Sequence, residues 1–152
     1  MARAKYQVLV LPYQNQNNKT LYCIFKRSDM DAWQFIAGGG ETEDASPLIS
    51  AKREANEEAG ISCDKPFHAL ETTSSISTEG FKKARPVWER PAWSSRNIAL
   101  RWNCPTGPSL SPGNTPALNG SIMQRLSSGS KYDSNKVALW ELENKIRMGL
   151  LS

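Results

Sequence analysis

The chain has 152 residues, of which 39% are hydrophobic, 22% charged and 9% aromatic. This length fits one domain with its own core, residues 1–152. The composition excludes a disordered protein, and no apolar run approaches the roughly 18 residues that a membrane span needs. The first residues (MARAK) lead into a short alternating segment and not into the apolar core of a signal peptide, so we expect a cytoplasmic protein. The net charge of +4 leaves nucleic acid open as a partner.

The cysteines and the single histidine do not form a recognisable site. Cys23, Cys63 and Cys104 show no close pair and no metal-type spacing. An odd number of cysteines in a cytosolic-looking chain is typical of buried or free thiols. His68 stands alone, which favours a structural role over a catalytic one.

The first forty residues predict strands. Residues 6–13 (YQVLVLPY) and 21–26 (LYCIFK) are rich in β-forming residues, and the polar turn at 15–19 joins them into a hairpin. Residues 33–37 predict a short strand that ends at the three glycines of 38–40. Glycines there allow close approaches that side chains would forbid.

Residues that are typical of helix ends predict two helices. Ser46 is a suitable N-cap, Pro47 fits the first helical position and Gly60 ends the run. Asp133 or Ser134 can cap a second helix near the C-terminus. The first helix has apolar residues at spacings of three and four, namely Leu48, Ala51, Ala55 and Ala59; the second runs through Val137, Leu139, Trp140, Leu142 and Ile146.

Three glutamates share one turn of the first helix. Glu54, Glu57 and Glu58 stand at i, i+3 and i+4, where like charges destabilise a helix. The cluster is therefore either a solvated charged face or a site that a cation fills. The glycine turn before the helix, and Arg53 beside Glu54, favour the cation. Hard oxygen ligands of this kind suit Mg²⁺ or Mn²⁺.

The segment 39–61 (GGETEDASPLISAKREANEEAGI) resembles the Nudix box, G-x5-E-x7-R-E-U-x-E-E-x-G-U, in which U is a bulky aliphatic residue. Ala55 is smaller than the usual aliphatic residue, and Ala45 replaces the first glutamate of the box. Either Glu43 or Asp44 compensates through a small shift of the turn, or metal binding is weakened. The residues at the required spacing are Gly39, Arg53, Glu54, Glu57, Glu58, Gly60 and Ile61.

The resemblance implies roles for the matched residues. Glu57 and Glu58 would bind the metal ions, and Glu54 would act as a ligand or as a base toward water. Arg53 would orient Glu54 through a charge-assisted hydrogen bond.

Three residues outside the box are further candidates. The carbonyl of Gly38 is a possible additional metal ligand. Arg27 resembles a position that contacts substrate phosphate, with an ordinary surface arginine as an equal alternative. Trp33 is expected in the core rather than stacked on a base.

Residues 90–132 differ from the rest of the chain. They contain no Asp or Glu, whereas the remaining residues hold all 15. One interpretation is a long basic loop or a disordered insert.

A sharper hypothesis is that residues 90–130 are an out-of-frame reading. Read one base earlier, degenerate codons permit a strand-like run and a segment similar to the E-H-T-x-(Y/F)-x-W-V of one group of bacterial Nudix proteins. The basic charge would then say nothing about nucleic acid, a further acidic metal ligand would be missing from this region, and irregular chain is expected there.

The resemblance implies an α/β fold, the Nudix α/β/α sandwich with a mixed sheet and the two helices on different sides. It implies hydrolysis of a pyrophosphate bond in a nucleoside triphosphate or another nucleoside diphosphate linked to a group X, with Mg²⁺ or Mn²⁺ as cofactor. We expect a nucleotide-type small-molecule substrate, no membrane or nucleic-acid partner, and a homodimer as one option for assembly. Two alternatives are a non-catalytic Nudix-fold module that binds a nucleotide or RNA, motivated by Ala45 and the anomalous segment, and an RNA-end-processing or RNA-binding protein, motivated by the net charge.

Overall fold

The computed structural model describes residues 3–28, 31–77, 94–103, 118–124 and 133–151. No helix within these ranges has the length and apolar character that crossing a membrane requires. In chain order the elements are β1 (Arg3–Gln16), β2 (Lys19–Arg27), β3 (Trp33–Gln34), β4 (Ile36–Glu41), α1 (Pro47–Ala59), β5 (His68–Ser77), β6 (Ser94–Asn103), β7 (Leu118–Gln124) and α2 (Asp133–Arg147).

The strands form one mixed sheet built around β1. The order is β3-β2-β1-β6-β5, with β4 also paired to β1 and β7 also paired to β2. Strand β6 runs parallel to β1, while the other pairings are antiparallel. The first part of β1 pairs with β4, the strand that contains the three glycines, and the end of β1 pairs with β2.

Both faces of the sheet are buried. In β1, Val8 and Val10 pack in the cluster that contains the alanines of α1, whereas Leu9 and Leu11 pack with Leu142 of α2 on the other face. Because a helix covers each face, the apolar run of this strand is continuous and does not alternate with polar residues. The predicted α/β/α sandwich with a mixed sheet is confirmed.

Helix α1 has the predicted ends. Ser46 is extended and its hydroxyl accepts a hydrogen bond from the Ile49 N–H at 3.4 Å. Gly60 has a φ of 65° and its N–H donates to the Asn56 carbonyl at 2.9 Å. Such a left-handed residue satisfies the last carbonyls of a helix, and glycine adopts it without strain.

The buried face of α1 differs in part from the prediction. Ala51, Ala55 and Ala59 are at most 3% exposed, as expected. Leu48, predicted on the same face, is instead 38% exposed. Two polar residues, by contrast, are buried on the side of α1 that faces the sheet. These are Ser50, which is 0% exposed, and Glu58, which is 6% exposed.

The first hairpin is longer than predicted, and the single strand predicted at 33–37 is instead divided between β3 and β4. The turn between β1 and β2 is Asn17 and Asn18, both with positive φ, which matches the right-handed twist of a two-residue hairpin. Phe35 separates β3 from β4. The prediction that a strand ends at the glycines of 38–40 is wrong. They lie within β4 because this segment pairs with β1, and the lack of Cβ atoms lets side chains from other elements lie over the strand.

The segment 90–130 is ordered where the structure describes it. We expected irregular chain, and this expectation is wrong for β6 and β7. The residues as written suffice for β6, since Ala99, Leu100 and Trp102 are at most 4% exposed and the Phe67 and Trp102 rings stack at 6.3 Å. The remaining residues of the segment lie outside the described ranges, as does Cys104.

The second predicted helix is present as α2 and covers the opposite face from α1; its first residue is Asp133, one of the two residues expected to cap it. Of its predicted apolar residues, Leu142 is fully buried and Leu139 and Ile146 pack against the cluster. Val137 and Trp140 are 41% and 64% exposed, so these two are surface residues.

Two buried polar residues of α2 attach it to the sheet. The side-chain oxygen of Asn135 accepts the Phe35 N–H at 3.1 Å. The Glu141 carboxylate accepts the N–H groups of Glu71 and Thr72 at 2.8 and 2.7 Å, where the pairing of β5 with β6 shifts register. The carboxylate thus satisfies two donors that the irregular strand pairing leaves available.

Candidate active site

Glu54 of α1 lies directly over β4. Its side chain is 13% exposed. A Cβ placed on Gly38 would come within 1.9 Å of the Glu54 carboxyl carbon. Any other residue at 38 therefore displaces this carboxylate. Burial raises the pKa of Glu54, and the hydrogen bond from Arg53 opposes that rise.

Glu58 is the most buried carboxylate of the predicted cluster. It is 6% exposed, and its Oε2 atom has no hydrogen-bond partner among the described residues. Burial, followed by the charge of Glu54, raises the pKa of Glu58 to about 7, against a hydrogen bond from the Ala37 backbone and the charge of Arg27. A buried carboxylate oxygen without a donor is costly, and a cation is one partner that removes the cost.

Glu57 stands apart from these two. Its side chain is 52% exposed, and its Oε2 lies 3.5 Å from the Arg53 Nη1. Thus the three glutamates of one turn divide into a buried pair and one residue at the rim. Within the described ranges, no three Asp, Glu, His or Cys side chains converge as a ready-made metal site.

Arg53 connects the end of β4 to the glutamates. Its Nη1 donates to Glu54 Oε1 at 3.0 Å, which is the hydrogen bond that the sequence predicted. Its Nη2 donates to the Gly39 carbonyl and to Asp44 Oδ2, each at 3.0 Å, and its Nε lies 4.0 Å from Glu41 Oε2. Burial acts to lower the pKa of the guanidinium, but the carboxylates of Asp44 and Glu54 raise it above its usual value.

The turn before α1 places the Asp44 carboxylate, next to Ala45, against Arg53. Ala45 and Glu43 are both exposed. Asp44 has a side chain that is only 9% exposed and accepts the hydrogen bond from Arg53. Of the two residues proposed to compensate for Ala45, only Asp44 reaches the arginine in this way.

Asp44 is held from two further sides. The Ser50 hydroxyl donates to Asp44 Oδ2 at 2.6 Å, and the Glu41 N–H donates to the same oxygen at 3.1 Å. The Tyr6 hydroxyl lies 2.8 Å from the Ser50 hydroxyl, and the Tyr6 ring occupies the space that a Cβ on Gly40 would fill. Burial acts to raise the pKa of Asp44, but the hydrogen bonds from Arg53, Ser50 and the Glu41 backbone lower it below its usual range.

The other predicted candidates occupy different surroundings. Arg27, at the end of β2, donates to Gln34 Oε1 at 3.4 Å, and its charge acts on Glu58. It therefore lies on the side of the site where Glu58 is buried. Trp33 packs half-buried against the cluster beneath α2, in agreement with a core role rather than base stacking.

Sequence reasoning missed Arg3, Tyr6 and Ser50. The Arg3 guanidinium lies 2.9 Å from the position of a Cβ on Gly39, and its charge lowers the pKa of Glu54. Each glycine of 38–40 thus has its own side chain above it. The run of three glycines was the available signal, since consecutive residues without Cβ atoms allow close approach of other groups.

Comparison with known proteins gives one family and several similar structures. The NUDIX domain family model matches residues 4–117. A protein described as a NUDIX hydrolase, from Listeria monocytogenes, has 26% identity and a TM-score of 0.82, with 95% of each chain covered. The dihydroneopterin triphosphate pyrophosphohydrolase of E. coli has 16% identity and a TM-score of 0.73, covering 94% of this chain and 99% of its own. An Ap4A hydrolase of C. elegans has 16% identity and a TM-score of 0.67, covering 94% and 98%. No curated protein sequence matches the chain.

Proposed function

This chain belongs to the Nudix family, and we propose that it hydrolyses a pyrophosphate bond in a nucleoside triphosphate or another nucleoside diphosphate linked to a group X. The family match and the similar structures confirm two predictions: that the chain is a Nudix protein and that it is a hydrolase. The observation that carries the proposed reaction is the buried pair of carboxylates, Glu54 and Glu58, one of which has an oxygen without a hydrogen-bond partner among the described residues.

We propose that Mg²⁺ or Mn²⁺ binds to the carboxylates of Glu54, Glu57 and Glu58 and to the carbonyl of Gly38. The partnerless oxygen of Glu58 fits such an ion, and the Glu54 carboxylate lies against the backbone of Gly38, in the space that a Cβ would fill. All four donors are hard oxygens, which these cations prefer. When bound, the ion neutralises the charge of the pyrophosphate and activates water for attack on phosphorus.

The protein residues position the reacting groups. Arg53 fixes one oxygen of Glu54 through its 3.0 Å hydrogen bond and leaves the other oxygen for a ligand or for the proton of water. In the proposed roles, Glu54 is the ligand or base and Arg53 sets its direction. Arg27, whose charge acts on Glu58, would bind a phosphate of the substrate.

Three further proposals concern the domain organisation, the substrate and the location of the protein. Residues 1–152 would form a single domain, since β1, near the start, lies at the centre of a sheet that includes β6 and β7. The substrate would be of the nucleotide type, as the C. elegans neighbour is an Ap4A hydrolase; the pterin triphosphate of the E. coli neighbour shares only the phosphate chain with nucleotides. We expect this activity in the cytoplasm.

The test is release of phosphate or pyrophosphate from a panel of nucleoside triphosphates and nucleoside diphosphate derivatives, with Mg²⁺ or Mn²⁺. Glu58→Gln keeps the shape of the side chain and removes a poorly solvated charge. The thermal midpoint of the metal-free variant is therefore expected to stay or rise, while turnover falls by at least roughly 100-fold. Glu43→Gln, at an exposed position near the same helix, is the matched control and keeps full turnover.

The alternatives give different results in the same assay. A folded, metal-loaded wild-type protein that binds nucleotides without turning any of them over would contradict the hydrolase and identify a binding module. RNA affinity that falls steeply with salt would favour the RNA-binding alternative.

A further inference from the structure

We propose that Asp44, supported by Ser50 and Tyr6, is the positioning residue that orients Arg53 and, through it, Glu54, in place of the carboxylate missing at Ala45. This inference rests on the proposed function, because it assigns Asp44 a part in that reaction. It predicts that the substitution at position 45 does not impair the enzyme.

The Arg53 guanidinium is held by hydrogen bonds from its Nη2 atom and donates to Glu54 from its Nη1 atom. Its Nη2 bonds to Asp44 Oδ2 and to the Gly39 carbonyl, each at 3.0 Å, and its Nη1 bonds to Glu54 Oε1 at 3.0 Å. Because the guanidinium is planar and rigid, anchoring Nη2 also sets the direction in which Nη1 donates. The position of the Glu54 carboxylate over Gly38 therefore depends on Asp44.

Asp44 is itself built into the fold. One oxygen, Oδ2, accepts hydrogen bonds from three donors: Arg53 Nη2, the Ser50 hydroxyl and the Glu41 N–H. An oxygen that already accepts three hydrogen bonds is poorly suited to bind a cation or water, which points to orientation as its role. Ser50 is fully buried and is the link to Tyr6 on β1, so the support reaches from the helix to the sheet.

The turn before α1 explains why position 44 takes this role. The Asp44 N–H donates to the Glu41 carbonyl at 3.1 Å, and the Glu41 N–H donates back to the Asp44 carboxylate at 3.1 Å. This reciprocal pair closes the turn with Asp44 directed inward. Ala45 follows on the exposed side, immediately before the Ser46 cap.

The test removes the carboxylate and then restores it at the same position. Asp44→Ala is expected to lower kcat by roughly 10- to 100-fold with KM within about twofold, as removal of a group that orients an active-site residue does. Asp44→Glu keeps a carboxylate on the inward side of the turn, and we expect it to recover at least about a third of the lost factor on a logarithmic scale. Ala45→Glu and Glu43→Ala, both at exposed positions of the same turn, are the matched controls and keep the wild-type kcat.

A purely structural role gives a different pattern. If Asp44 only held the turn together, Asp44→Ala would lower the thermal midpoint with kcat unchanged in the remaining folded protein, or kcat would fall without recovery in Asp44→Glu. Either result overturns the proposal. Loss of kcat in Asp44→Ala with recovery in Asp44→Glu supports it.

A second readout is independent of turnover. In ¹H–¹⁵N spectra of the wild-type protein, the Arg53 guanidinium is expected to show separate, slowly exchanging Nη signals, because both ends are hydrogen-bonded. In Asp44→Ala these signals should merge. Separate signals in both proteins would overturn the inference, whereas merging in a wild-type-like fold supports it even if no nucleotide proves to be a substrate.

Discussion

Glu141 provides a test of how α2 is held on the sheet. Its carboxylate accepts the N–H groups of Glu71 and Thr72 and lies 2.9 Å from the Lys145 amino group. Burial acts to raise the pKa of Glu141, but hydrogen bonds from Thr72, Glu71 and Lys145 lower it from 4.5 to about 2. Glu141→Gln removes the charge, and its amide oxygen cannot accept both N–H groups as well as the carboxylate does.

The magnitude follows from the pKa. A fall from 4.5 to about 2 corresponds to about 3 kcal/mol of stability that is present above the unfolded pKa and is lost as pH falls toward the folded one. About 2 kcal/mol of this should be lost by pH 3. The free energy of unfolding of Glu141→Gln should therefore be about 3 kcal/mol below wild type at pH 7, and the difference should shrink to about 1 kcal/mol at pH 3.

Urea unfolding of both proteins at pH 7 and at pH 3 measures this difference. Glu143→Gln lies on the exposed side of the same helix and is the control, expected within about 0.5 kcal/mol of wild type. A difference below about 1 kcal/mol at pH 7, or one of equal size at both pH values, would refute the assignment of this carboxylate as the attachment of α2.

Two further substitutions and one resequencing experiment test other parts of the chain. Gly38→Ala displaces only the flexible end of Glu54, so turnover should fall at least roughly tenfold while the thermal midpoint changes little; an unchanged kcat would contradict the placement of that carboxylate. Gly60→Ala should do the reverse, costing about 1 kcal/mol in urea unfolding because φ is 65°, with turnover retained. Resequencing of the coding DNA for residues 90–130 should reveal two compensating frame shifts, and a clean frame without ambiguous bases would exclude a sequencing error.

The sequence predicted those elements whose signals are local. The caps of α1 at Ser46 and Gly60 were identified because side-chain and backbone requirements at helix ends are set within a few residues. The α/β/α fold followed from the box resemblance, and the box spacing placed Glu54 beside Arg53. The caps and the hydrogen bond from Arg53 to Glu54 involve only residues close in the sequence.

The sequence did not predict contacts between distant elements. The local sequence predicts a strand end at the glycines of 38–40, because nothing local shows that Glu54, Arg3 and Tyr6 lie over them. The separation of Glu57 from the buried glutamates depends on the angle at which α1 meets the sheet, which helical spacing alone does not give. The two attachments of α2, through Asn135 and Glu141, join residues 70 to 100 positions apart.

Asp44 illustrates what the sequence can predict and what only the structure shows. The sequence identified it, together with Glu43, as a replacement for the glutamate missing at position 45. Only the geometry of the turn, in which Asp44 and Glu41 bond reciprocally, separates the two candidates.

The central claim is that this protein directs water onto phosphorus in a pyrophosphate bond. The most direct measurement is turnover of the best nucleotide from the panel in ¹⁸O-labelled water, with mass spectrometry of both products. Incorporation of one ¹⁸O atom per turnover into one phosphorus-containing product, lost in Glu58→Gln, is the predicted result. Products without label, or a label rate unchanged in Glu58→Gln, would contradict the account.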